Sequence, residues 1–300
     1  MSWSRIRNAL GRIAAPAAAL ALASCATAPT ARTSGPALWE LADSDTRIYL
    51  FGTIHMLPPG LQWRTPLIER AIASSDELVL EVAMGDDPMA TARAMRKLGL
   101  SAGLPPLIER VPEEKRDALR KMIADGGIPI QALDRMESWA AALTLTAINF
   151  QRLGLDPEQG IEKKLTGDYG TASKPIRGLE TAEEQFGFFD ALPEEAQRKL
   201  LVAVLDDPAQ ARAQFAAMLA AWMKGDVDSI ARTFNEDMAL SAALRDKLLK
   251  QRNARWADWL AKRMDRPGTI FVAVGAGHLA GDDSLQHMLR AQGLKARRLQ

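Results

Sequence analysis

Ile48-Tyr49-Leu50-Phe51-Gly52-Thr53-Ile54-His55 and Ile270-Phe271-Val272-Ala273-Val274-Gly275-Ala276-Gly277-His278 follow one plan, a short apolar run and then Gly-x-x-His. β-Branched and aromatic runs of this length read as buried strands, and a glycine at the strand end lets the backbone turn sharply into a loop. Each is followed by a helix-like stretch, 66–74 and 283–291, and by a second strand-like run, Glu77-Leu78-Val79-Leu80-Glu81-Val82 and Lys295-Ala296-Arg297-Arg298-Leu299. A strand, Gly-x-x-His loop, helix, strand unit therefore stands near both ends, with everything between inserted. If the units share one sheet, His55 and His278 lie at the carboxyl edge of its strands, where open α/β sheets gather ligands. The alternative is two unrelated αβ turns with a surface histidine each. The chain has only three histidines, so the repeated setting favours a shared site.

The expected fold class is α/β (α+β), a mixed central sheet built from the N- and C-terminal units with a large helical middle insertion. Leu38-Trp39-Glu40-Leu41 and Arg47 to Gly52 flank Asp43-Ser44-Asp45, which predicts a strand, a turn and an antiparallel edge strand. From Pro88 to about Met264 helical patterns dominate, with one strand candidate at Pro175-Ile176-Arg177-Gly178-Leu179. Phe215, Met218, Leu219 and Trp222 fall at i, i+3, i+4 and i+7, the spacing of a core-facing stripe. Asp207-Pro208 supplies that helix's cap and first residue, and Gly225 ends it.

Residues 1–24 read as a leader: Arg5, Arg7 and Arg12 precede an apolar stretch that closes on Leu22-Ala23-Ser24-Cys25. The ending is similar to a bacterial lipobox, so Cys25 is expected to carry lipid at the new N-terminus. Cys25 is the only cysteine, which rules out disulfides. Several acyl chains at about 0.8 kcal/mol per buried methylene would anchor the protein durably. Ala26 stands where an Asp would favour the inner membrane, so the expected location is the bacterial envelope, at the outer membrane facing the periplasm. Residues 25–37, rich in Ala, Thr, Ser and Pro, form an expected tether, and 38–300 the domain. The formal charge of +1 includes the three leader arginines, which leaves −2 without them. No basic excess points to nucleic acid.

Two imidazoles and a carboxylate make a competent set for Zn²⁺, Mn²⁺ or a similar divalent ion, with positions left open for water and substrate. Glu81 is the natural third member, because a lone charge inside an apolar strand asks for a reason. It could act as ligand or as general base. Without a metal, the three groups could still act directly as an acid-base set on an ester or amide. There is no Gly-x-Ser-x-Gly, Gly-x-Gly-x-x-Gly, P-loop or His-Glu-x-x-His pattern, and Cys25 at the lipid end excludes thiol catalysis. His287 lies between apolar helix positions and is expected to face solvent. In a helix expected near Leu240 to Met264, Arg252 lies four residues from both Leu248 and Trp256 and borders the apolar face. Spacing alone slightly favours a guanidinium reaching out to water over a cation aimed at a site carboxylate or substrate anion, with Asn253 beside it as a further donor.

At these residues the chain resembles the TraB/GumN family, within the group that includes the Tiki metalloproteases and the erythromycin-esterase-like and ChaN-like proteins. The likeness is carried by Leu38-Trp39-Glu40, Phe51-Gly52-Thr53-Ile54-His55, the strand holding Glu81, Gly178-Leu179-Glu180-Thr181 with Glu184-Gln185, Arg252-Asn253-Ala254-Arg255-Trp256, and Val274-Gly275-Ala276-Gly277-His278-Leu279. It covers nearly the whole chain after the tether. The resemblance implies a site using His55, Glu81 and His278 with a divalent ion, Mn²⁺ or Co²⁺ in Tiki-type relatives. It draws Arg252, Glu180 and Asn253 towards that site, beside Gly52 and Gly275. The implied activity is an envelope-anchored, metal-dependent hydrolase of peptide bonds. A non-catalytic periplasmic binding protein and a metal-free esterase are the alternatives, and neither the small substrate nor the oligomeric state is legible.

Overall fold

A computed structural model of the protein describes residues 35–83, 87, 89–205, 207–237 and 242–300. The leader, Cys25, most of the tether and Leu240 lie outside the described residues. Six strands, β1 (Leu38–Ala42), β2 (Thr46–Thr53), β3 (Glu77–Val82), β4 (Ile176–Glu180), β5 (Gly268–Gly275) and β6 (Arg297–Arg298), form one sheet in the order β4-β3-β5-β2-β1-β6. β4, β3, β5 and β2 run parallel, whereas β1 is antiparallel to both β2 and β6. β5 sits between β2 and β3, so the C-terminal unit threads the N-terminal one.

The sheet is covered on both faces, as a mainly parallel sheet requires. Strand alternation assigns the residues: Tyr49, Phe51, Leu78, Leu80, Phe271 and Ala273 pack one way, with Ile68, Leu165 and Trp222 from covering helices. Ile48, Leu50, Val79, Ile270, Val272 and Val274 pack the other way, against Trp256, Leu260 and Leu289. The inserted middle builds a separate helical core around Leu107, Leu119, Ile123, Ala141, Leu145 and Leu201. Among the described residues no helix is long and apolar enough to cross a membrane.

The helix expected to end at Met264 has a composite start. A short helix Ala242–Arg245 leads into a π-helical turn Asp246–Lys250 and then the helix Gln251–Arg263. Single π turns of this kind often mark functional sites. The stripe on Pro208–Met223 splits: Trp222 is buried, while Phe215, Met218 and Leu219 are only partly so.

Both Gly-x-x-His glycines answer to close approach. Gly52 lies against the Ala276 backbone, where an added Cβ would meet Cα at 3.0 Å, and its carbonyl accepts from Trp222 Nε1 at 2.8 Å. Gly52→Ala should therefore overpack this joint and lower stability by about 1–3 kcal/mol in urea unfolding. A loss near zero would mean that the loops shift freely.

Candidate active site

The parallel strands end together, Thr53 opposite Gly275 and Val82 opposite Glu180, and the candidate residues gather at this carboxyl edge. Glu81 shares the alternation of Val79 and so faces the helix Gln251–Arg263, which carries Arg252. The lone charge of the apolar strand is thereby explained. Arg252 Nη2 donates to Glu81 at 2.6 Å and pairs with Glu180 at 2.9 Å, Nε donates to Glu180, and Nη1 meets the Leu248 carbonyl at 3.2 Å and His278 Nε2 at 3.1 Å. The Leu248 carbonyl comes from the π turn.

Arg252 is 6% exposed. The guanidinium reaching out to water, favoured by helix spacing, is corrected: two buried carboxylates hold the head inside. Arg252 thereby ties Glu81, Glu180 and His278 into one buried network. Glu180 further accepts from Arg255 and Trp256 Nε1, and Glu81 from the Gly275 N–H at 2.6 Å and Gln185 at 3.1 Å. A Cβ on Gly275 would lie 3.1 Å from the Glu81 carboxylate.

His278 is buried under Trp256, ring centroids 4.4 Å apart. Its Nδ1 lies 2.7 Å from Asn253 Oδ1, and Asn253 Nδ2 donates to the His278 and Asp283 carbonyls. Arg252 is a donor only, so Nε2 accepts and Nδ1 carries the hydrogen. Burial pushes His278 down to about 3, and the ring is neutral. Burial alone would raise Glu81, and a charged His278 would lower it. Because His278 is neutral at this depth, Arg252, with charged His55 and the Gly275 N–H, keeps Glu81 ionised and below its ordinary range.

His55 differs in kind. Its ring is 71% exposed, and Nδ1 lies 2.7 Å from Glu162, which also accepts from the Thr53 hydroxyl at 2.5 Å. Glu162 was not singled out in the sequence; it arrives in the first turn of the helix Ile161–Thr171. That helix docks by Ile161 N–H donating to the Ile54 carbonyl, at a place where a Cβ on Gly160 would strike the His55 carbonyl. The Glu162 charge raises His55 to about 9, Glu81 adds to the rise, and the Arg252 charge opposes it. Water at the open ring face tempers this. His55 also lines an apolar cavity of about 340 Å³. His287 is exposed on its helix.

Residues 37–298 match the TraB/PrgY/gumN family. The chain belongs to that family. It is 30% identical over 264 residues to the uncharacterised protein YbaP of Escherichia coli K12, covering 85% of this chain and 92% of YbaP. The Shigella flexneri YbaP matches to the same extent, and an uncharacterised Treponema pallidum protein is 23% identical over 272 residues, 85% of this chain and 80% of its own. No solved structure matches. In this TraB/PrgY/gumN chain, no group of three or more His, Cys, Asp or Glu side chains among the described residues is arranged to hold a metal. His55, Glu81 and His278 have suitable chemistry, but Arg252 is hydrogen-bonded to both Glu81 and His278 Nε2. In this arrangement the set does not fit an ion.

Proposed function

We propose that the chain is a hydrolase of peptide bonds in which His55 and Glu162 are the acid–base pair. One observation carries the reading: an exposed imidazole, fixed through Nδ1 by a carboxylate, lines an apolar cavity at the carboxyl edge of the parallel strands. In its neutral form His55 takes a proton from water at Nε2 as the water oxygen bonds to the scissile carbonyl carbon. Glu162 keeps the Nδ1 proton in place and stabilises the imidazolium that forms. That Nε2 proton passes to the leaving nitrogen as the C–N bond breaks. Glu81, ionised behind the site, adds negative potential that favours proton uptake by His55. The test is cleavage of a peptide library, present in the wild type and abolished by His55→Ala. Ligand capture without cleavage, surviving in His55→Ala, would replace the hydrolase with a binding protein.

An ion-dependent form has one observation in its favour. Both imidazoles are held through Nδ1, by Glu162 and Asn253, as metal-bound histidines commonly are. Mass spectrometry after chelator stripping and reloading with Mn²⁺, Co²⁺ or Zn²⁺ decides it. With Arg252 in place we expect no retention above His55→Ala and His278→Ala. Near-stoichiometric binding lost in both variants would overturn the ion-free reading.

The leader and Cys25 extend the proposal to place: a lipoprotein of the bacterial envelope, held at the outer membrane facing the periplasm. Cys25→Ser should move the protein from the membrane fraction to the soluble fraction, and unchanged fractionation would refute the anchor.

A further inference from the structure

The cavity beside His55 has walls from four places: the end of β2 with its following loop, the end of β5 at Gly275 with the following Ala276, the helix Ser138–Arg152 and the helix Pro208–Met223. The first helix contributes Leu143, Thr146, Ala147 and Phe150, at i, i+3, i+4 and i+7. This stripe is separate from the face that buries Trp139, Ala142 and Leu145 in the protein. A helix in a globular domain commonly keeps one apolar face for the core; this one has a second, directed at a void. Phe215 and Met218 supply the opposite wall, and Phe150 and Phe215 approach across it with ring centroids 6.1 Å apart.

Polar groups are few and mostly engaged. The Thr146 hydroxyl donates to the Ala142 carbonyl at 2.8 Å and the Thr53 hydroxyl to Glu162. Among the described residues lining the cavity, none is Asp, Glu, Lys or Arg, and His55 is the titratable one. A charged or strongly polar group entering here would lose water without gaining a partner. The volume, about 340 Å³, is near the lower end of the roughly 300–1,000 Å³ range of ligand pockets, enough for one large side chain with its local backbone.

We propose that this cavity is the specificity pocket of the site and takes an uncharged apolar side chain of leucine or phenylalanine size, from a residue flanking the scissile peptide bond. The proposal rests on the peptide-hydrolase reading. A side chain seated between Phe150 and Met218 leaves its own backbone amide at the mouth, beside His55 Nε2. Substrate selection and proton transfer then share one loop, Gly52-Thr53-Ile54-His55.

The test uses the full chain carrying Cys25→Ser, so that no acyl chain competes for the cavity, with ¹³C-methyl methionine NMR reporting on Met56 and Met218. Both signals are assigned by substitution to Leu. N-acetyl-phenylalaninamide and N-acetyl-leucinamide should shift both methyls saturably, with affinity at least about tenfold above N-acetyl-serinamide. Ala147→Trp, at an exposed wall position, should weaken this binding by a similar factor with the other methyl signals unchanged. Should that variant fail to fold, Thr146→Phe narrows the same wall. In peptide cleavage, Phe or Leu beside the scissile bond should raise kcat/KM by about tenfold or more over Ser. No saturable shift with either apolar amide, or equal shifts with all three, overturns the pocket. Sodium octanoate binding without either amide overturns the peptide assignment in favour of an acyl chain. Selective amide binding with no cleavage of any peptide upholds the pocket and sinks the hydrolase reading instead.

Discussion

Arg252→Ala is expected to lower unfolding stability by about 3–5 kcal/mol, the size associated with stranding a buried charge. The substitution removes one cation and leaves two carboxylates, Glu81 and Glu180, 8% and 7% exposed and facing the same void. It also removes the donor to His278 Nε2. Since small domains are stable by only about 5–15 kcal/mol, this is a large share of the whole. Arg252→Lys should recover little, because an ammonium has three donors and no planar fork for five acceptors. The pH dependence gives the sign. In the wild type Glu81 is held near 2, below its ordinary 4.5. Its contribution is present above about 4.5 and lost as pH falls through 2. Without Arg252, burial drives the Glu81 carboxyl upward, so the variant gains relative stability as the proton binds. Urea midpoints at pH 7 and pH 5 should show the gap narrowing on the acid side. A gap under 1 kcal/mol at pH 7, or one that widens on acidification, would remove Arg252 from the centre of the network.

Much of this arrangement is legible from local pattern because the signals are local. A strand's alternation puts Glu81 with Val79, and a strand-end glycine announces the loop that carries each histidine. Arg252 shows where such reading stops. Its helix sets it beside Leu248 and Trp256, but its partners come from strands 171 and 72 residues away. Periodicity within one helix says which residues lie at a boundary, not what stands across it. The π turn that aims the Leu248 carbonyl leaves no mark in the apolar spacing. Glu162 is hidden differently. An acid in a helix's first turn is ordinarily explained by the helix dipole, and nothing in Ile161-Glu162-Lys163 shows that Thr53 and His55 lie against it, more than 100 residues earlier. Phe215 and Met218 repeat the lesson, since helical spacing identifies a covered face whether the cover is protein or a cavity.

His55→Ala is expected to cut kcat/KM for peptide cleavage by about 10²–10⁴-fold, the usual contribution of a positioned acid or base, with little change in stability. The ring is exposed, makes its ion pair at the surface of the site and fills no core position, so its removal leaves packing intact. Glu162→Gln is the sharper variant, because it tests the pair and not just the ring. Glu162 lifts His55 from its ordinary 6.5 to about 9. A base works in its neutral form, so kcat/KM of the wild type should climb with pH and level off near 9. Removing the carboxylate charge should bring that limb down towards 6.5, while the plateau falls because the imidazolium formed during reaction has lost its counter-charge. An acid role for His55 in the rate-limiting step reverses the sign, with activity falling as pH rises through the same value. Stability follows the opposite course from a carboxylate. A histidine with a raised pKa stabilises the fold below about 6.5 and loses that contribution as pH rises through 9, a small effect at so open a ring. The limb therefore has to be read from kcat/KM on protein shown to be folded across the range. If the limb stays in place in Glu162→Gln, the shift at His55 comes from elsewhere, with Glu81 the remaining negative charge to test, and the His55–Glu162 pair is not the base.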